Sequence, residues 1–259
     1  MKEQLQSHTE LKNKQVKPDN FQQTDDPAIK IETLTKELNQ FTYIVSHDLQ
    51  APLRMITGFL ELLEKKHGDN LDESGKQFIG YAVKGANKMK SLIFDLLEYS
   101  RLSSVIIEYS EVDLNIIFQE TKEKMRPIIE ETNAILTSDN LPVVNADRKH
   151  MVQLFEHLLD NALKYRSTSI PEINIRVIEK SKYWELAVCD NGIGIDTSFR
   201  EKIFIIFRRL HNDDSIYTGT GIGLAISKKI VELYDGTIWM DSELGKGSTF
   251  FFTLPKKCI

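Results

Sequence analysis

Apolar residues set two different rhythms along this chain. Residues 1–26 keep neither: they are polar, rich in Lys, Gln and Asp, and interrupted by Pro18, which predicts a linker or frayed tail. Thr24, Asp25 and Asp26 then precede Pro27, a helix start signal with proline in the first turn. Ile31, Leu34, Leu38, Phe41 and Val45 follow at spacings of 3, 4, 3 and 4, the seam of a heptad helix expected over roughly 27–67. The spacing becomes 4 and 4 through Leu49 and Leu53, a stutter that locally unwinds such a seam, before Ile56, Leu60 and Leu63 restore it. Pro52 falls inside the helix and removes one backbone donor, so a bend is expected there. His67-Gly68-Asp69-Asn70 is turn chemistry. A second long helix, over roughly 72–103, carries Phe78, Ala82, Gly85, Met89, Leu92 and Leu96 in the same rhythm. A helical hairpin with a seam this long cannot bury it alone, and two copies forming a four-helix bundle is the natural solution, so a homodimer is expected.

After Ser104 the period shortens. Ile173, Ile175 and Val177, then Trp184, Leu186 and Val188, then Ile238 and Met240, and finally Phe250, Phe252 and Leu254 alternate as strands do. Helical segments near 113–130, 148–164 and 222–234 separate them. The prediction is an α/β layer sandwich over 105–259, behind a helical hairpin at 27–104 and a tail at 1–26.

Composition adds exclusions. The chain has 259 residues, 41% of them hydrophobic, enough for real cores in two domains. Its 33 Lys plus Arg against 38 Asp plus Glu give a formal charge of −5, which argues against nucleic acid as a partner. Cys189 and Cys258 make neither a disulfide framework nor a metal cage, and a reducing compartment is expected. No apolar run approaches the roughly 20 residues of a membrane span. No signal-like stretch opens the sequence, so the expected location is the cytoplasm, whether for a whole protein or for part of a longer one.

Chemistry enters at His47, in Phe41-Thr42-Tyr43-Ile44-Val45-Ser46-His47-Asp48-Leu49-Gln50-Ala51-Pro52-Leu53. His47 lies off the apolar stripe. A carboxylate at Asp48 can bond one ring nitrogen and leave the other as a nucleophile, which suits a phosphoryl acceptor. An ordinary surface histidine is the competing reading. The second half of the chain carries a nucleotide site in four pieces. On a helix, His157, Asn161, Lys164 and Tyr165 share a face, with an amide oxygen at Asn161 suited to Mg²⁺ and a cation at Lys164 suited to phosphates. Asp190, followed by Gly192 and Gly194, offers an acceptor for the adenine amine. Gly219, Gly221 and Gly223, with Leu224, open a helix whose backbone amides suit phosphate. Gly245-Lys246-Gly247-Ser248-Thr249-Phe250 turns into the last strand. Each piece alone is weak; four in this order, in strand and helix context, are strong.

With those residues in place, the sequence over roughly 27–255 resembles the sensor histidine kinases of two-component signalling, most of all the phytochrome-like branch with Ser-His-Asp-Leu-Gln-x-Pro-Leu. The resemblance implies a dimerisation and phosphotransfer hairpin followed by a Bergerat-type ATP-binding sandwich, as in gyrase, mismatch-repair ATPases and a heat-shock chaperone. It implies His47 as the phosphorylated residue supported by Asp48, Asn161 as the Mg²⁺ ligand, and ATP held around Asp190, Gly192 and Gly194. Phe204, Phe207 and Arg209 match the segment before the nucleotide lid, with Arg209 as an aid to phosphoryl transfer, and Thr249 matches a residue near the adenine. The implied partners are a second copy, the receiver domain of a response regulator and a sensor outside this segment.

Three positions depart from the family. His157 stands where the first N-box Asn is usual and is expected near Mg²⁺ or phosphate. Gln50 replaces the usual basic residue three after the acceptor, and Ala51 the usual Thr or Asn four after it, which implies weak phosphatase activity towards the partner. Two other functions compete. A gyrase-type ATPase needs a water-activating Glu where His157 sits, and Glu156 is one residue, about 100°, away. A dimeric ATP-binding scaffold without kinase activity is the other. Whether transfer runs within or between subunits stays open at this level.

Overall fold

The computed structural model describes residues 27–102, 107–210 and 219–256. Residues 27–37 are the opening turns of a helix. That helix, α1 (Pro27–His67), starts at the proline the sequence marks and continues through Pro52. A short 3₁₀ turn (Gly68–Asn70) leads to α2 (Glu73–Arg101), whose first turn is capped by the Asp72 side chain accepting from the Gly75 amide at 2.7 Å. Among the described residues no helix is long and apolar enough to cross a membrane.

The hairpin departs from expectation in which residues it buries. On α2 the buried apolar positions are Ile79, Ala86 and Leu97, one residue on from the predicted Phe78, Gly85 and Leu96. On α1 the predicted Leu53 is buried, as is Ser46, one residue on from Val45, whereas Phe41, Val45, Leu49, Ile56 and Leu63 are exposed. One residue is about 100° of helix. Leu53 apart, the two helices of one chain therefore meet along a row beside the predicted seam, and most of that seam's described residues are exposed.

The second part builds on β1 (Ser110–Asp113), α3 (Leu114–Lys124), α4 (Arg126–Thr132), β2 (Ile135–Ser138), β3 (Val143–Ala146), α5 (Arg148–Lys164), β4 (Glu172–Glu179), β5 (Tyr183–Asp190), α6 (Gly223–Leu233), β6 (Ile238–Glu243) and β7 (Gly247–Pro255). The helix expected over 113–130 is two, because Pro127 lacks an amide proton and starts a new helix after Met125. Strands β1 and β3 pair antiparallel as a separate ribbon. The main sheet runs β2-β4-β5-β7-β6, with β2 parallel to β4 and the other pairs antiparallel. One face packs on α3, α5 and α6 around a core that includes Phe155, Leu158, Leu159, Ile175, Leu186, Ile226, Ile230 and Phe252, all essentially inaccessible to solvent. Phe155 of α5 meets Phe252 of β7 edge-on at 6.4 Å, joining helix layer to sheet.

Candidate active site

A cavity of about 370 Å³ opens between α5, the loop after β5 and the start of α6. Its floor is the helix that the sequence singled out. His157, Asn161, Lys164 and Tyr165 all line it, together with Asp160. Asn161 makes no side-chain hydrogen bond among the described residues, so its amide oxygen is uncommitted in the cavity. The Nζ of Lys164 lies over the Tyr165 ring at 4.7 Å and directly against the backbone of Gly219, 2.5 Å from where a β-carbon would sit. Gly219 has a φ of 141°, a conformation open to glycine, and any side chain there would displace the lysine head. His157 is largely buried. Burial holds its imidazole below the ordinary histidine range, its Nδ1 faces the backbone of Gly223, and its Nε2 has no hydrogen-bond partner among the described residues. Burial likewise raises the Asp160 carboxyl, opposed by Lys164 and His157.

The opposite wall comes from the end of β5. Asp190 Oδ1 accepts from the amides of Gly192 at 2.9 Å and Ser248 at 3.1 Å, which fixes the carboxylate and leaves Oδ2 without a protein donor among the described residues. Burial pushes this carboxyl above the usual range, while the two amide bonds pull it back. A β-carbon on Gly192 would collide with the Tyr165 carbonyl, so the chain passes closely enough for the Ile193 amide to reach that oxygen at 2.9 Å. Helix α6 begins at Gly223 with no side-chain cap, and Gly219, Gly221, Gly223 and Leu224 face the cavity. Uncapped amides at a helix start suit phosphate oxygens. A fixed acceptor, a cation, uncapped amides and an uncommitted amide oxygen in one enclosure fit a nucleoside triphosphate.

His47 lies elsewhere, on α1, exposed, its Nδ1 at 3.2 Å from Asp48 Oδ1. It lines a groove between α1 and α2 with Gln50, Ala51 and Arg54. The groove and the nucleotide cavity share a wall, since Ser91 and Asp95 of α2 line both. Asp95 also accepts a hydrogen bond from the Thr220 hydroxyl, beside the α6 glycines. Sequence reasoning missed Ser91, Asp95 and Thr220 because nothing in a helical rhythm marks which surface residues will meet another domain.

Residues 37–105 match the His Kinase A (phospho-acceptor) domain, and residues 146–257 match the Histidine kinase-, DNA gyrase B-, and HSP90-like ATPase. The chain belongs to the sensor histidine kinases. Cyanobacterial phytochrome A of Nostoc sp. is 43% identical over 88% of this chain and 30% of its own length. Phytochrome-like protein Cph1 of Synechocystis sp. is 40% identical over the same shares, 88% and 30%. The chain thus spans about 30% of the length of those curated relatives. The solved complex of histidine kinase ThkA with response regulator protein TrrA matches at a TM-score of 0.61 and 25% identity, covering 89% of this chain and 66% of that one.

Other motif residues fall on different sides of the nucleotide cavity. Arg209 lines it, its Cγ lying under Gly221. Phe204 packs against the core, and Phe207 is half exposed with a φ of 62°. Thr249 points to the other face of β7. Ser248 and Phe250 line the cavity instead, because successive strand residues face opposite ways.

Proposed function

We propose that this chain is the catalytic core of a dimeric histidine protein kinase that moves the γ-phosphoryl group of ATP to its own His47 and from there to a receiver-domain aspartate of a response regulator. The observation that carries the proposal is the shared wall: Ser91 and Asp95 border both the enclosure that fits ATP and the groove that holds His47.

Asp190 Oδ2 accepts from the adenine amine, and Lys164 with the uncapped amides of α6 holds the phosphates. His157, neutral through burial, donates from Nε2 to a phosphate oxygen. The uncommitted amide oxygen of Asn161, a hard ligand facing the cavity, would hold Mg²⁺. Mg²⁺ held there would neutralise charge on the transferring phosphoryl group. Asp48 accepts from His47 Nδ1–H and so leaves Nε2 as the nucleophile. As Nε2 bonds to the γ-phosphorus, the bond from that phosphorus to the bridging oxygen breaks, ADP leaves, and Asp48 takes the Nδ1 proton. Arg209 stabilises the charge that develops.

The gyrase-type alternative fares worse, because Glu156 is tied to Lys124 at 2.5 Å and does not line the cavity, which leaves that position without a water-activating base. The exposed apolar row on α1 supports a second copy as partner, and a sensor outside this segment supplies input. Ala51 has no group to orient a water, so phosphatase activity is weak. His47→Gln is expected to abolish labelling by ATP while leaving ATP binding intact, with the label on the unmodified chain stable to base and labile to acid. Labelling of His47→Gln at the original level would overturn the assignment, and no labelling of the unmodified chain would favour a scaffold.

A further inference from the structure

The groove around His47 holds two cations that this reaction leaves unused, and we infer that Arg54 and Lys90 form the seat of the phosphoryl group once it is bonded to His47. The inference rests on His47 being the acceptor.

The groove is walled by His47, Gln50, Ala51 and Arg54 from α1 and by Lys90 and Asp95 from α2, among others. Arg54 follows His47 by seven positions, which on a helix is about 10 Å along the axis and only about 20° around it. Helical side chains lean towards the N-terminus, so the long Arg54 stem reaches back over the intervening turn towards His47. Gln50 and Ala51 lie in the turn between them, and the Ala51 methyl group adds no bulk there. Lys90 enters from the facing helix. Both cations are exposed, and neither makes an ion pair with another described residue, whereas Lys76, Lys124 and Lys246 are each paired with a glutamate.

Charge explains why they are needed. A phosphoryl group brings about −1.5 to −2 charge near neutral pH. The acidic groups already facing His47 are Asp48, against its Nδ1, and Asp95 across the groove. Without Arg54 and Lys90 the phosphoryl group would land between two carboxylates. Gln50 offers hydrogen bonds there but no charge, so the cation comes from one turn further along, where the planar guanidinium can engage two phosphoryl oxygens at once.

The test loads the full chain with phosphoramidate, which phosphorylates histidine without ATP, and assigns the His47 signal in ³¹P NMR by its loss in His47→Gln. The phosphoryl group of the unmodified protein is expected to take up its proton about half a pH unit or more lower than in the Arg54→Gln, Lys90→Gln double variant, because nearby cations favour the dianion. Arg54→Lys should retain most of the shift. In the ATP reaction, the equilibrium ratio of phosphohistidine to ATP is expected to fall about tenfold in the double variant, with ATP affinity unchanged, since neither cation lines the nucleotide cavity. An identical titration and an identical equilibrium in the double variant would overturn the inference. Absence of ATP labelling alongside a normal titration shift would instead overturn the kinase reading.

Discussion

At the scale of single residues, the site works by satisfying one half of a polar group and leaving the other half for a ligand. Asp190 is the clearest case: both of its protein bonds land on Oδ1. In Asp190→Asn the amide oxygen can keep those bonds, but the amino group then meets the adenine amine, donor against donor. The expected cost is about 1–3 kcal/mol of ATP affinity, roughly fivefold to a hundredfold, read by calorimetry without metal; an unchanged Kd would misplace the adenine. The four pieces of this site were legible in the sequence because their signals are local: glycines where a side chain cannot fit, as at Gly192 against the Tyr165 carbonyl, and polar residues at helical offsets, as at His157, Asn161 and Lys164. Asp160 was passed over, although it sits four residues before Lys164 on the same helix, because a charged residue in a helix ordinarily faces water. Thr249 resembled a ligand contact by motif, but strand alternation turns it from the cavity that Ser248 lines.

Among elements, the long helices and the four long strands of the sheet were legible because several repeats of their period fit within each. Strands β1, β2 and β3 were not, since each has four residues and shows too little alternation to stand out. The hairpin was legible as two helices but misleading about its own interior. A four-helix bundle needs two apolar rows on each helix, one for each neighbour, and sequence periodicity reports only their merged stripe. Phe59, 69% exposed, and Ile56, 48% exposed, belong to the row that the chain's own second helix does not cover. Ile56→Glu with Phe59→Glu should therefore give a monomer in sedimentation analysis while retaining helical circular dichroism. Leu53→Ala, at a position only 6% exposed, should instead destabilise the hairpin by about 2–5 kcal/mol in thermal melts. A dimer that survives both glutamates would show that the partner packs on another face.

Over the whole molecule, stability is tied to pH through histidines that the fold keeps neutral. His150 is buried beside Tyr234, its Nδ1 at 2.8 Å from the phenol oxygen, and burial holds its imidazole below the ordinary range, opposed by Asp147. A histidine with a depressed folded value contributes its full stability above its unfolded value of about 6.5 and loses it as pH falls through the folded value. The raised carboxyls of Glu98, Asp160 and Asp190 act in the opposite sense, because the folded state then holds protons that the unfolded state has released. Comparing variants separates the two: between about pH 7.5 and 5.5, His150→Phe should lose less melting temperature than the unmodified chain, and equal losses would clear His150 of the effect. The two domains also meet directly. Gln153 donates to Glu98 at 3.1 Å, Lys229 lies over the Tyr99 ring at 4.5 Å, and Thr220 donates to Asp95. The last of these has a thermodynamic corollary. Asp95 is a negative charge at the edge of the space where phosphates bind, and it holds the glycine segment that must receive them. With ATP in the cavity as proposed, its phosphates and the attachment of the ATP-binding domain to α2 through Asp95 would oppose each other, each weakening the other by the same factor.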